Sequence, residues 1–468
     1  MDKVQAADEV RELELQESVH TNSANIRLLT YNTWGLKYVS KYRRFRLCAI
    51  ADRLANAVPG SQDDYDIVAL QEVWCSEDWE YLSSRCENLY PYRRNFNSGI
   101  ITGPGLCILS KVPIKETFLY RFPINGRPSA FFRGDWMVGK SISVTLLQPH
   151  TKGALPIALL NSHMHAPYAL TGDAAYSCHR ACQAWDFTKL VRMLKRAGYA
   201  VVQVGDLNSR PGSLPYKLFT VEGGLEDSWD VLGSVSGKKA EDVAPPVDVN
   251  VGPMASATPA IGPAGITPIA EMSPEDQILI GGVTCNSTLN TWRANRRLSE
   301  ACRLDYALID KATVLPINAA VRFTEVSESP YNCSLSDHFA YSVELQIANE
   351  SRRIKEHRPS ERIEVYQELK REIEIYLNHT IPFQAQWRKW HFIGSFVLII
   401  IIHIGMTWAA QRSAWSTILL LLASTIIGIT GVVNGLIWFL GVRSEKRALL
   451  EVKSEVEDMI YGSKEHPN

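Results

Sequence analysis

Two stretches near the C-terminus constrain this chain most. His391 to Ala410 reads HFIGSFVLIIIIHIGMTWAA and Trp415 to Leu440 reads WSTILLLLASTIIGITGVVNGLIWFL, with no Asp, Glu, Lys or Arg in either. At ~1.5 Å rise per residue, a helix made from either run crosses a hydrocarbon core of ~30 Å. A single run of this kind also suits the buried core helix of a soluble domain. Two runs edged by Trp387, Trp390, Trp408, Trp415 and Trp438 fit membrane spans with interfacial aromatic belts. The connection QRSA leaves room only for a tight helical hairpin, so both flanks lie on one side. Arg388 and Lys389 precede the hairpin and Arg443, Lys446 and Arg447 follow it, against Arg412 alone at the turn. The positive-inside rule therefore places both termini and the large N-terminal part in the cytosol. The endoplasmic reticulum is the first expectation for the organelle and the mitochondrial outer membrane the second. His403 and Asn434 lie within the spans, where a hydrogen bond inside the hairpin is the economical reading.

The rest of the chain divides by pattern. Residues 1–25 are polar, with no apolar signal segment. From 26 to 348, apolar runs with strand character alternate with amphipathic helices, which indicates an α/β domain. Residues 232–282 are rich in Pro, Gly and Ala and without periodicity, and are expected as a loop insertion. Residues 349–386 form a charged juxtamembrane helix, 387–441 the hairpin, and 442–468 a cytosolic C-terminal helix. Tyr366, Leu369, Ile373 and Tyr376 follow 3-4-3 spacing, as do Leu449, Val452, Val456 and Met459. These stripes suit antiparallel pairing with each other, a homodimer seam, or packing on the globular domain. Nine scattered cysteines without a CxxC pair indicate reduced thiols.

Polar residues terminate the apolar runs of the α/β domain: Asn32, Glu72, His163 with His165, Asp206 with Asn208, Asp305, and Asp337 with His338. One carboxylate after a strand carries little information, but this ordered set is specific. Hard oxygen donors suit Mg²⁺, which bridges phosphate oxygens. A His beside an orienting Asp is a general base for water, and amide and imidazole donors can hold phosphoryl oxygens as charge develops. Metal-assisted hydrolysis of a phosphoester is the implied chemistry.

The segments YNTWG, LQEVW, SHMHA, GDLNSRPGS, RLDYAL and LSDHFAY resemble the endonuclease/exonuclease/phosphatase superfamily. NSGIITGPGLCILSK, GDWMVGKS and NSHMHAPY, followed by two C-terminal spans, narrow the resemblance to the neutral sphingomyelinases and fungal inositol phosphosphingolipid phospholipases C. The resemblance implies a four-layer α/β sandwich of the deoxyribonuclease I type, followed by the two-helix transmembrane hairpin. It implies Glu72 as Mg²⁺ ligand supported by Asn32, His338 as base, and Asp305 as its orienting partner. Asp206 and Asn208 position nucleophile and phosphate, and His163 stabilises the transition state or assists the leaving alkoxide. His165 and Asp337 are less firmly placed, Asp337 as a supporting or second-metal residue. The implied function is hydrolysis of a membrane sphingolipid to ceramide and a phosphorylated head group, with anionic phospholipids as activators. The Arg-rich run NTWRANRRLSEACRLDYAL favours an inositol phosphate head group; phosphocholine release is the first alternative. A membrane-tethered nuclease is more distant, since a net charge of -1 provides no basic groove.

One motif points elsewhere. Gly134 to Ser141 satisfies the nucleotide-binding pattern G-x-x-x-x-G-K-S. That motif needs a helix after the Ser, whereas SISVTLLQP is alternating, β-branched and ended by Pro149, a strand pattern. ATP binding is therefore not expected. In the resembled family the corresponding Asp and Lys, here Asp135 and Lys140, act as a lipid-responsive switch.

Overall fold

The computed structural model describes residues 23–465 except 131–132, 170, 237–239, 242–266 and 353–356. Most of the polar N-terminal tail and the middle of the 232–282 segment therefore lie outside the described residues. Two six-stranded sheets pack face to face. The first has the order β13 (Val314–Arg322), β14 (Ala340–Ile347), β1 (Ala24–Asn32), β2 (Ile67–Gln71), β4 (Cys107–Ser110) and β3 (Tyr92–Asn95). The second has the order β5 (Ile114–Arg121), β6 (Ser141–Leu147), β7 (Ile157–His163), β8 (Ala200–Asp206), β12 (Asp305–Ile309) and β9 (Glu226–Asp227). The two-residue strands β10 (Ala240–Glu241) and β11 (Thr267–Pro268) pair apart from both sheets. Only β1–β2 and β7–β8 are parallel; the other pairs within the two large sheets are antiparallel.

Strands buried on both faces explain why β2, β7 and β8 read as continuous apolar runs. Their inward side chains, with Leu28, Ile108 and Val343, form the core between the sheets. Helices α1 (Arg43–Ala55) and α2 (Ser76–Arg85) cover the outer face of the first sheet, and α3 (Ser177–Arg196) covers that of the second. The result is the four-layer sandwich expected from the sequence.

The Pro-, Gly- and Ala-rich segment carries order at both ends. Helix Ser228–Ser236 runs into it, and Ile269 and Met272 are buried against Val283 and Ala301, followed by the short helix Pro274–Leu279. Composition hides these elements because a few apolar anchors suffice to hold them.

The two apolar stripes that flank the hairpin are used within the chain. Helices α4 (Pro359–Ile375) and α7 (Arg443–Glu465) lie side by side, with Lys370–Glu457 and Lys453–Glu374 ion pairs both at 2.8 Å. Tyr366, Leu369, Ile373, Leu449, Val452 and Val456 are buried in one core with Trp185 of α3. Each such side chain stabilises the packing by ~1.5–3 kcal/mol. Trp185 Nε1 donates to Glu455 at 2.6 Å. The apolar seam that a homodimer through these stripes would need is thus already covered.

Between them, α5 (Ile381–Arg412) and α6 (Ser416–Leu436) form the hairpin. In the most apolar window of each continuous helix only 6% and 11% of residues are buried, unlike the core helix of a soluble protein. Small residues allow the helices to approach closely: Gly431 faces Ser395 and Gly435 faces Phe392, with no room for a Cβ. Arg388 donates to Asn434 Oδ1 across the hairpin at 2.7 Å, while His403 is exposed on its outer surface.

Candidate active site

The parallel pairs determine where the polar strand ends meet. β1 and β2 deliver Asn32 and Glu72 to one edge of the first sheet; β7 and β8 deliver His163 and Asp206 to the same edge of the second. β12 runs antiparallel to β8 and begins with Asp305, in register with Asp206. β14 runs antiparallel to β1, so Asp337 and His338, just before its first residue, arrive at the same rim. Residues spread over three hundred positions are thereby gathered by strand direction alone.

His338 Nδ1 lies 2.9 Å from Asp305 Oδ2, and its Nε2 lies 3.9 Å from Asp206 Oδ2. Asn32 Nδ2 donates to Glu72 Oε1 at 2.9 Å and to Asp206 Oδ2 at 3.0 Å. His163 Nε2 is 3.7 Å from Asp206 and 3.9 Å from Glu72. Asp206 Oδ1 accepts from the Asn208 backbone N–H at 3.0 Å, and Asn208 Nδ2 donates to Met164 O at 3.0 Å. Asp337 pairs with Arg293 at 2.5 Å. A cleft of about 520 Å³ is lined by Glu72, His163, Asp206, Asn208, Asp337 and His338, joined by Lys140, Arg293 and Arg296. Glu72 and Asn208 adopt left-handed backbone conformations, φ 62° and 46°, a strain that concentrates at functional sites. The turn at Glu72 requires Gly35 of YNTWG, where a Cβ would stand 2.1 Å from the Glu72 carbonyl oxygen.

Burial shapes the charges. It lowers His163 well below the ordinary imidazole range, assisted by Lys140, so that ring is neutral. Burial would also lower His338, but Asp305 and then Asp206 outweigh it and hold the ring well above the ordinary value. Asp206 is pushed up to about 7 by burial against the pull of His338. Glu72 is raised by burial and by the charge of Asp337.

The arrangement fits a divalent cation. Asp206, Asp305 and His338 present ligand atoms within 4.8 Å of one another, and Asp305 Oδ1 is buried without a hydrogen-bond partner among the described residues. Glu72, Asp206 and Asp337 line the cleft and Asp305 lies beneath it, and such hard oxygens are a divalent-ion donor set. The sequence singled out Glu72, with Asn32 in support, and Asp337 as a supporting or second-metal residue; the ligand atoms gathered within 4.8 Å are those of Asp206, Asp305 and His338.

His165 does not join this cluster. β7 ends at His163, the chain turns, and His165 stacks on Tyr176 at 4.0 Å with its Nε2 3.7 Å from Asp135 Oδ2. Asp135 also pairs with Lys140 at 3.4 Å and accepts from Tyr168 at 2.5 Å. The nucleotide pattern is a single helical turn, Asp135–Val138, followed by strand β6, so no helix follows Ser141 to cradle phosphate.

Several supporting residues were not legible in the sequence. Arg46 of α1 is fully buried and donates to the carbonyls of Lys41, Thr33, Leu335 and Trp34 at 2.8–3.0 Å, tying the end of β1 to the loop before Asp337. Ser336 Oγ donates to Asn32 O at 2.6 Å. Beneath Glu72, Gln71 Nε2 donates to Asn161 Oδ1 at 2.8 Å, bridging the sheets. Only the arginine carries a sequence signal, and α1 holds several.

Comparison with known proteins identifies the family. The signature of the Endonuclease/Exonuclease/phosphatase family matches residues 29–338. The inositol phosphosphingolipids phospholipase C of Saccharomyces cerevisiae is 49% identical over 471 residues, 94% of this chain and 91% of that protein. Sphingomyelin phosphodiesterase 2 of Homo sapiens is 34% identical over 219 residues, 46% of this chain and 49% of that protein. Among solved structures, beta toxin from Staphylococcus aureus covers 68% of this chain and 99% of its own, with a TM-score of 0.46 and 16% identity. The chain belongs to the endonuclease/exonuclease/phosphatase family, within its group of inositol phosphosphingolipid phospholipases C.

Proposed function

We propose that the protein is a membrane-anchored, Mg²⁺-dependent phospholipase C that hydrolyses inositol phosphosphingolipids to ceramide and a phosphorylated head group. The observation that carries this reading is the buried His338–Asp305 pair facing Glu72 and His163 across one cleft. Identity to the yeast phospholipase C over nearly the whole chain supports the substrate class, as do Arg293 and Arg296 in the cleft wall. The human relative favours sphingomyelin as second reading, with the same chemistry and a different head group.

Glu72, held by Asn32, and Asp206 would hold the cation. Bound there, it would offset charge on the phosphoryl oxygens and weaken the hold of the carboxylates on the imidazole proton of His338. His338 takes the proton from the attacking water, while Asp305 fixes the ring and bears the charge that forms. Asn208 and Asp206 orient water and phosphate. The water oxygen bonds to phosphorus, the phosphorus–oxygen bond to ceramide breaks, the ceramide oxygen takes up a proton from solvent, and His338 gives the proton it took back to solvent. Neutral His163 donates a hydrogen bond to the oxygen that gains charge.

The hairpin tethers the domain to the bilayer that holds the substrate, with both termini cytosolic. Anionic phospholipid activates by favouring the Asp135–Lys140 pairing, which keeps Lys140 at the cleft wall. The test uses full-length protein with Mg²⁺ in vesicles carrying inositol phosphoceramide, sphingomyelin or added DNA, with and without anionic lipid, beside His338→Ala. Ceramide release from inositol phosphoceramide that rises with anionic lipid supports the reading; release from neither sphingolipid overturns it.

A further inference from the structure

The mouth of the cleft carries apolar side chains that the fold leaves in water. On one side, Trp34 and Leu36 line the cleft and the chain then exposes Tyr38 and Val39, at 95% and 62%. On the other, Gly134, Asp135 and Val138 line the cleft, Trp136 is exposed beside them, and Ile100 and Ile101 are exposed at 70% and 66%. Isolated exposed hydrophobics need no explanation; a set gathered at both sides of one opening does.

Two sets of contacts connect this rim to the rest of the chain. The loop bearing Ile100 is bonded to the Asp135–Val138 turn: Ile100 N–H donates to Met137 O at 2.8 Å and Ile101 N–H at 3.4 Å. Gly99 and Gly139, both at positive φ, pack back to back, and a Cβ on Gly139 would stand 2.5 Å from the Gly99 nitrogen. The same segment reaches the base of the hairpin at its other end. Pro128 packs on Gly441, one residue beyond the second apolar run, and Arg127 donates to Tyr376 Oη at 2.6 Å. The hairpin base therefore meets the chain at Arg127 and Pro128, shortly before the turn that carries Asp135 and to which the Ile100 loop is bonded. Lys37 and Lys41 flank Tyr38 and Val39, as suits anionic head groups.

We propose that Tyr38-Val39 and Ile100-Ile101, with Trp136, form a rim that inserts into the leaflet from which the hairpin emerges, seating the cleft mouth on the bilayer. A lipid then enters the cleft from the leaflet without crossing water. Because the Ile100 loop is hydrogen-bonded to the turn bearing Asp135, its insertion also fixes that turn beside Lys140. This inference rests on the reading of the substrate as a membrane lipid, and it can fail separately.

The test uses full-length protein in lipid nanodiscs, labelled with an environment-sensitive dye at Ile101→Cys or, as control, at Val58→Cys. Val58 is exposed beyond the C-terminus of α1, whose N-terminus is the end near the cleft. Native cysteines interfere little, since all but Cys48 are buried. Nitroxide on lipid near the head group is expected to quench the dye at 101 and not at 58. The double variant Ile100→Glu, Ile101→Glu is expected to lose about tenfold or more in hydrolysis of bilayer substrate, since each isoleucine withdrawn from an apolar phase is worth about that factor. Its hydrolysis of a short-chain substrate dispersed below micelle formation stays unchanged, which also shows that it folds. Equal quenching at both sites, or equal loss on both substrates, overturns the rim. Quenching at 101 in the labelled variant, with no ceramide released by the wild-type chain, overturns the proposed substrate and leaves the rim standing.

Discussion

Replacing Asp305 with Asn tests the most specific contact in the site. Asp305 Oδ2 and His338 Nδ1 are 2.9 Å apart, with side-chain exposures of 0% and 8%, so solvent does not dilute the interaction. The amide is isosteric, yet it removes the charge that opposes the effect of burial on His338 and allows the wrong tautomer. A general base is worth ~10²–10⁴ in rate, and loss of its carboxylate partner in a comparable triad costs up to ~10⁴. The expected loss in kcat is therefore about 10²–10⁴, or ~3–5 kcal/mol of barrier. Asp305 lies beneath the cleft and does not line it, so KM should stay within about a factor of three. The sign for pH follows from the cause: removing a negative neighbour lowers the imidazole pKa, so the acid limb of the kcat profile moves to lower pH. Steady-state kinetics on vesicles across pH 5–9 read all three quantities. A kcat loss under about tenfold, a loss confined to KM, or an unmoved acid limb would refute the assignment of His338 and Asp305 as base and partner.

Other perturbations probe the supports. Arg46→Met leaves buried carbonyls of Thr33, Trp34 and Leu335 without their donor, which should cost ~3–5 kcal/mol in denaturant unfolding and reduce kcat as well. A chelator should abolish hydrolysis and Mg²⁺ restore it, and Glu72→Gln should raise the Mg²⁺ concentration for half-maximal rate by about tenfold or more. The Asp64 carboxyl is held below its usual range despite partial burial, chiefly by Lys111 and the Gly60 N–H. Its contribution to stability is present above pH ~4 and lost as pH falls through the lowered value, so Asp64→Asn should shallow the acid limb of an unfolding profile.

The catalytic half of this account was legible because the site lies at strand ends. An apolar run that stops at Glu72, His163 or Asp206 marks both the strand and the residue presented at its edge. His165 shows the limit of that reasoning: extending strand alternation past His163 aims it at the cluster, whereas the Met164 N–H bonds the Asp206 carbonyl and the chain turns away toward Asp135. β5, IKETFLYR, is hard to read from sequence because an edge strand with exposed Lys115 and Glu116 blurs its alternation. Arg46 cannot be told from Arg44 on the same helix by sequence, although one is buried and the other half exposed. The Arg127–Tyr376 contact joins residues 249 apart, a pairing that no local pattern encodes.

The proposed reaction is attack of water on phosphorus with departure of ceramide. Hydrolysis of inositol phosphoceramide by the full-length enzyme in ¹⁸O-water, followed by mass spectrometry of both products, tests it most directly. One ¹⁸O is expected in the phosphorylated head group and none in ceramide, with neither product formed by His338→Ala. Label in ceramide, or release of ceramide phosphate with free inositol, would contradict it.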